Sequence, residues 1–238
     1  MTDLHTHILP GMDDGARNGR ESLAMLRREW EQGVRSLALT SHFYPEQETP
    51  EEFLRRRAAA SDALQRELDA LSAEEREKLP GMILGAEVAW SPGIDRMSAL
   101  ERLCCGKSRY LLLELPSYPW HHGILDGLYD LMNRTELVPV LAHIDRYIPT
   151  QSPRLLRELF DLGLPMQIST FSLLHFRTRH SALKLLKQSN ANYVISDCHD
   201  PDARTPNLGE AAAVLRRKLG DREAKAILDR ADVFAEIC

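Results

Sequence analysis

The stretch "DLHTHILPGMDDG", residues 3–15, sets two histidines one residue apart at the end of a short apolar run, followed by a Pro-Gly turn and two aspartates. Side chains two apart on a β-strand share a face, so a strand reading makes His5 and His7 point the same way. Two imidazoles and three carboxylates within thirteen residues are more polar chemistry than a first strand needs for packing. They ask for partners later in the chain.

Moving outward, short apolar and β-branched runs recur: "SLALTSH" (36–42), "MILGAEVA" (82–89), "RYLLLEL" (109–115), "LVPVLAH" (137–143), "PMQIST" (165–170) and "NYVISD" (192–197). Helix-like segments separate them, and this βα alternation predicts about seven parallel strands. Between residues 51 and 78, Leu54, Ala58, Leu64, Leu68 and Leu71 fall at helical spacing on one stripe, which predicts a helix laid over a sheet. In "SPRLLRELFDLGLP" (152–165), Ser152 caps a helix, Pro153 opens its first turn and Gly163 closes it before Pro165. No Ser/Gly-rich linker, composition break or internal repeat interrupts the pattern. Residues 1–238 are therefore expected to form a single domain.

With 43% hydrophobic and 27% charged residues, the composition is that of an ordinary globular protein. A net charge of -5 argues against a broad nucleic-acid-binding surface, so any anionic substrate must be met by a local basic site. No apolar run is long enough for membrane insertion, and the first residues lack the signal-peptide pattern, so a cytoplasmic location is expected. Cys104, Cys105, Cys198 and Cys238 form no CxxC pair, which fits a reducing compartment.

The polar residues at the ends of the expected strands form a series. His5 and His7 belong to the first, His42 to the second, Glu87 to the third, Glu114 to the fourth, His143 to the fifth, and Asp197 and His199 to the seventh. The sixth offers only Ser169, and Asp14 follows the first turn. In a closed parallel barrel the carboxyl ends of the strands meet on one rim, where these side chains would converge. Imidazole and carboxylate donors without thiolate suit Mn, Fe or Zn, and their number exceeds what one tetrahedral ion takes. Two or three ions are implied, with Glu87 or Glu114 free to bridge. Taken alone, a strand-end histidine is ordinarily a hydrogen-bonded polar residue, and Glu87 could be an edge charge. Glu114 within "YLLLELP" is harder to dismiss, because an unpaired carboxylate in so apolar a strand is costly.

Together, "DLHTHILPGMDDG", "TSH", Glu87, "LLLELP", "LAHIDRY" and "ISDCH" followed by Arg204 and Pro206 resemble the PHP (polymerase and histidinol phosphatase) superfamily. Within it, they are most similar to the CpsB/CapC/YwqE group of bacterial tyrosine phosphatases. The resemblance covers essentially the whole chain. It implies a distorted (β/α)7 TIM-like barrel of the α/β class and a centre of three divalent ions, usually manganese. It also implies hydrolysis of phosphotyrosine on a bacterial tyrosine autokinase, in the regulation of capsular or exopolysaccharide synthesis. Matched position by position, the ligands are His5, His7, Asp14, His42, Glu87, Glu114, His143, Asp197 and His199, while Arg146 and Arg204 hold the phosphate. The chain departs from the pattern at Cys198, where alanine is common, and in the tail "RADVFAEIC", neither of which touches a ligand.

Such a centre would activate water for attack on phosphorus and neutralise phosphoryl charge. A planar guanidinium grips phosphoryl oxygens in bidentate fashion, which suits Arg146 and Arg204. Phenolate, with a pKa near 10, leaves readily; if an acid assists, His199 or a metal-bound water is the candidate. A thiolate mechanism is also spelled out, because Cys198, Arg204 and Thr205 match CxxxxxR[ST]. Pro201 lacks an N–H, no glycine eases the turn, and Asp200 and Asp202 would repel the dianion, so that reading is rejected. The alternative substrate is histidinol phosphate or another small phosphomonoester. A non-catalytic module that docks a kinase tail is disfavoured by the complete ligand set and both arginines.

Overall fold

The computed structural model describes residues 1–188 and 190–233; Cys238 and the end of the "RADVFAEIC" tail lie outside them. Among the described residues there are nine short strands: β1 (Thr2–Thr6), β2 (Ser36–Leu39), β3 (His42–Phe43), β4 (Gly81–Leu84), β5 (Glu87–Ala89), β6 (Tyr110–Glu114), β7 (Val138–Leu141), β8 (Gln167–Ser169) and β9 (Tyr193–Ile195). All pairings are parallel, in the orders β1-β2-β4, β3-β5-β6-β7 and β8-β9. The α/β alternation expected from sequence is there, but the second and third expected strands are each broken in two. The break at Thr40-Ser41 lets the chain leave one sheet and enter another: β2 pairs with β1 and β4, whereas β3 pairs with β5. The matching break at Gly85 sits where a Cβ would approach the Cys105 Sγ to 3.0 Å.

Isolated parallel bridges join the sheets at Thr6–Cys198 and Leu141–Met166. They are backed by hydrogen bonds from His7 N to Cys198 O (2.9 Å) and from Leu141 N to Pro165 O (2.9 Å). Thr40 N donates to Thr6 O at 2.9 Å and Glu87 N to Thr40 O at 3.1 Å, carrying main-chain bonding across the strand breaks.

Strand β1 is bulged. Asp3 pairs with Leu37 and Thr6 with Leu39, so three steps on one strand oppose two on the other. The extra residue breaks the period of two, so Asp3 and His5 need not share a face despite their spacing. Leu4 joins Leu112, Val140, Tyr193 and Ile195, from four strands, in a small apolar cluster separate from the main core.

The expected helix over 51–78 is two helices, Pro50–Asp69 and Ala73–Glu77. Each starts with a capping box, Thr49 with Glu52 and Ser72 with Glu75; the second cap ends the first run. The buried stripe is Phe53, Ala60, Leu64 and Leu68. Ala58 is exposed, and Leu54 and Leu71 are half-buried, because the bulky Phe53 turns its own side of the helix inward. The helix Pro153–Asp161 is as read from sequence: Ser152 Oγ accepts from Leu155 N at 3.2 Å, and Gly163 closes it at φ +67°. Among the described residues, no helix is long and apolar enough to cross a membrane.

Candidate metal centre

Local backbone explains how each donor is aimed. His5 lies in β1 and His7 just past its end, with their Nε2 atoms 3.1 Å apart. The loop after them folds back so closely that a Cβ on Gly15 would sit 2.1 Å from His7 O. Strands β3 and β5 pair in register at His42 and Glu87, which sets His42 Nδ1 2.9 Å from Glu87 Oε2. Glu114 ends β6. His143 and Asp197, expected on strands, instead follow β7 and β9 with φ of +28° and +53°, a region that non-glycine residues seldom enter. This turns their side chains off the strand direction and toward the nest, and such strain persists where surrounding structure enforces it.

All nine expected ligands meet. His5 Nε2 is 3.1 Å from Glu87 Oε2 and 3.5 Å from Asp197 Oδ1. His143 Nε2 is 2.8 Å from Glu87 Oε1 and 3.6 Å from Glu114 Oε1. The His7 and His199 rings stack at 3.8 Å, and the exposed Asp14 closes the outer side, 3.5 Å from His42 Nε2 and 3.4 Å from His199 Nε2.

The electrostatics follow from burying this many ionisable groups together. His5, His7 and Glu87 are wholly buried. Burial works against the charged His7, but Asp13 and Glu87 more than offset it and raise it to about 10. Burial likewise opposes ionised Glu87, yet the surrounding imidazoles hold it well below the ordinary carboxylate range. Burial and the charge of Glu87 raise Glu114. For Asp197, burial is outweighed by His5 and Arg146, which bring it down to about 2. Burial and the neighbouring His7 lower His199 to about 4.

A divalent ion fits the nest. His42 Nδ1 and Glu87 Oε2 lie 2.9 Å apart without hydrogen-bond geometry between them, and His199 Nε2 is likewise buried without a hydrogen-bond partner, a costly state for polar atoms. Three overlapping groups could each hold an ion: His7, Asp14, His42 and His199; His5, His7 and Glu87; and His42, Glu87 and Glu114. Glu87 belongs to two of them.

Beside the nest, Arg146 and Arg204 converge on Asp197. Its Oδ1 faces His5 and His7, while its Oδ2 accepts from Nη2 of Arg146 and, at 2.9 Å, from Nη2 of Arg204. Arg146 ends a 3-10 turn, Ile144–Arg146, anchored by Asp145, whose carboxylate accepts from Ser169 N (2.9 Å), Ser169 Oγ (2.8 Å) and Ser172 Oγ (2.6 Å). Asp200 accepts from Asp202 N at 2.8 Å and Arg204 N at 3.1 Å, fixing the loop that carries Arg204.

Sequence reasoning missed the groups that orient the donors. His7 Nδ1 pairs with Asp13 Oδ2 at 2.9 Å, and the same oxygen accepts from His42 N at 2.8 Å. His5 Nδ1 pairs with Gln167 Oε1 at 2.9 Å, so the sixth expected strand contributes Gln167, while Ser169 serves Asp145. A polar residue amid the apolar "PMQIST" was the available signal for Gln167; nothing in the sequence separates Asp13 from Asp14.

A second buried polar cluster lies behind the first. Cys198 is fully buried with Sγ 3.5 Å from Glu29 Oε1, and burial holds its thiol well above the ordinary value. A buried thiol facing Glu29 counts against an attacking thiolate. Asp3 accepts from the backbone of His5 and Ser196, each at 3.2 Å, and burial pushes it up to about 6. Glu29 is raised well above the ordinary value by burial and by Asp3, and its Oε2 has no hydrogen-bond partner.

An α/β chain that delivers imidazoles and carboxylates to one buried nest, beside two arginines, has the makings of a multi-metal centre with an anion site. The chain belongs to the capsular polysaccharide synthesis family CpsB/CapC, whose family model matches residues 1–232. It is 28% identical to the tyrosine-protein phosphatase CpsB of Streptococcus pneumoniae over 95% of this chain and 94% of that protein. It is also 28% identical to the tyrosine-protein phosphatase YwqE of Bacillus subtilis, over 98% of this chain and 91% of the relative. Among solved structures it matches one described as YwqE from Bacillus subtilis and CpsB from Streptococcus pneumoniae, unique metal-dependent tyrosine phosphatases. That match has a TM-score of 0.82 and 26% identity, covering 99% of this chain and 94% of that one.

Proposed function

We propose that this protein is a metal-dependent protein-tyrosine phosphatase acting on a bacterial tyrosine autokinase and so regulating capsular or exopolysaccharide synthesis. The observation that carries the reading is the buried nest itself: donors from strands far apart in sequence, several without hydrogen-bond partners, beside two arginines that share one carboxylate. In this reading the three sheets, linked by their bridges, form one distorted barrel, and the whole chain is one domain. His5, His7, Asp14, His42, Glu87, Glu114, His143, Asp197 and His199 would hold two or three divalent ions, with manganese favoured over iron or zinc. The relatives named above are tyrosine phosphatases, so histidinol phosphate is not favoured as substrate. Buried thiols at Cys104 and Cys198 support a cytoplasmic setting.

When bound, the ions would lower the pKa of water and neutralise phosphoryl charge. The chain does the rest. Arg146 and Arg204 present fixed, permanently charged forks to the phosphoryl oxygens and orient phosphorus toward the nest. Asp13 and Gln167 hold the Nδ1 atoms of His7 and His5, leaving both Nε2 atoms aimed inward. His199, kept neutral by burial and His7, suits a ligand better than a proton donor, and phenolate needs little protonation to leave.

The test is elemental analysis of the purified protein with a phosphotyrosine-peptide assay before and after chelation. Bound metal, loss of phosphate release with chelator and recovery with Mn are expected. Undiminished release after complete metal removal would refute the proposal.

A further inference from the structure

A cavity of about 550 Å³ opens beside the nest, and Arg146, Asp197 and Arg204 line it. Its far wall comes from the turn after β8: Phe171, Leu174, His175 and Thr178. Two aromatic rings there are turned to solvent, Phe171 at 63% and Phe176 at 72% exposure. Phe171 lies 4.7 Å from the His175 ring, and the Arg177 guanidinium sits 5.4 Å from the Phe176 ring. Arg179 donates to the carbonyls of Leu173 (2.7 Å) and Leu174 (2.6 Å), which ties the turn down, while Arg177 remains exposed.

The chain segment that carries this turn has charge of one sign only. Between Asp161 and Asp197 the chain has no Asp or Glu, yet it carries Arg177, Arg179, Lys184 and Lys187. In a protein of net charge -5, this segment offers an anionic partner exposed cations, while on the Arg204 loop the Asp200 carboxylate is taken up by backbone N–H groups and Asp202 stays exposed. The carboxylate of Asp145, also on the cavity wall, is taken up by Ser169 and Ser172. A second cavity of about 470 Å³ shares Arg146 but lacks Arg204, so it offers an anionic group one guanidinium rather than two.

We infer that the cavity between Arg146 and Arg204 takes the phosphotyrosyl ring against Phe171 and Leu174, and that the turn carrying His175 and Arg177 recognises carboxylate side chains beside that tyrosine. The inference rests on the proposed phosphatase reading and names its substrate class: phosphotyrosine in an acidic sequence. Aromatic and aliphatic walls supply ring burial, and the exposed cation at the rim supplies selectivity that salt weakens.

The test compares phosphotyrosine peptides flanked by Glu, Gln or Lys, together with p-nitrophenyl phosphate, on the Mn-loaded protein. The Glu-flanked peptide should exceed the Gln-flanked one in kcat/KM by about five- to tenfold, an advantage lost in about 0.5 M salt. Arg177→Glu should abolish that preference and leave p-nitrophenyl phosphate unchanged. Phe171→Ala should raise KM for every aryl substrate with little change in kcat. Equal kcat/KM for the three peptides, or equal loss on peptide and p-nitrophenyl phosphate in Arg177→Glu, would overturn the inference. If no phosphotyrosine compound is turned over, the phosphatase reading fails separately. Anisotropy titration of fluorescent versions of the same peptides then decides the surface: it stands if the Glu peptide binds about five- to tenfold tighter and falls if the affinities are equal.

Discussion

Two polar clusters are buried around β1 and β9, and the chain satisfies them in different ways. In front, His5, His7, Glu87 and Asp197 leave donor atoms aimed at a common space. Behind, Asp3 and Glu29 face Ser196 and Cys198 and are pushed toward their protonated forms. Imidazoles mixed with carboxylates suit cations; two carboxylates alone in the core suit a proton. Residues one apart are divided between them: Asp197 faces the front and Cys198 the rear.

The contrast can be broken by exchanging carboxylates for amides on either side. Glu87→Gln should release metal and cost more than about a hundredfold in phosphate release, because even outer partners of metal ligands are worth about ten- to a hundredfold. Glu29→Gln should change activity by less than about threefold. Comparable losses in both would mean that the rear cluster belongs to the chemistry. Next in size, Asp13→Ala or Gln167→Ala should weaken metal retention by about ten- to a hundredfold in a chelator competition, since each frees an imidazole to rotate. Cys198→Ser should keep most of the activity toward p-nitrophenyl phosphate; its abolition would revive the thiolate reading.

The smallest effect is on stability. Glu29 is raised in the folded state, so below its ordinary value of 4.5 both states hold the proton and pH has no effect through this group. As pH climbs above that value the unfolded chain ionises first, and the folded state loses stability until its own raised pKa is passed. Urea melts with chelator at pH 5 and pH 8 should therefore show a smaller decline for Glu29→Gln than for the parent. An identical decline would remove Glu29 as its source.

The front cluster was legible in the sequence and the rear one was not, for a physical reason. Ligands at strand ends recur with the βα repeat, so His5, His42, Glu87, Glu114, His143 and Asp197 mark themselves by position. Asp3 and Glu29 come from a bulged strand and a helix, and no periodicity pairs them. The bulge in β1 also defeats the rule that would set Asp3 beside His5. The broken strands at Thr40-Ser41 and Gly85 escaped for a similar reason: continuous apolar runs do not reveal where a chain changes sheets. Gln167 orients His5 across 162 positions in sequence, beyond the reach of local spacing, whereas Asp13 is only six residues from His7 but looks the same in sequence as its neighbour Asp14.

The central claim, that the front cluster is built for cations, is tested most directly by anomalous diffraction from crystals grown or soaked with manganese. Two or three peaks should lie among His5, His42, Glu87, Glu114 and Asp197, with Glu87 between two of them. Full manganese in the solution, no peak in the nest and these side chains hydrogen-bonded to one another would contradict it.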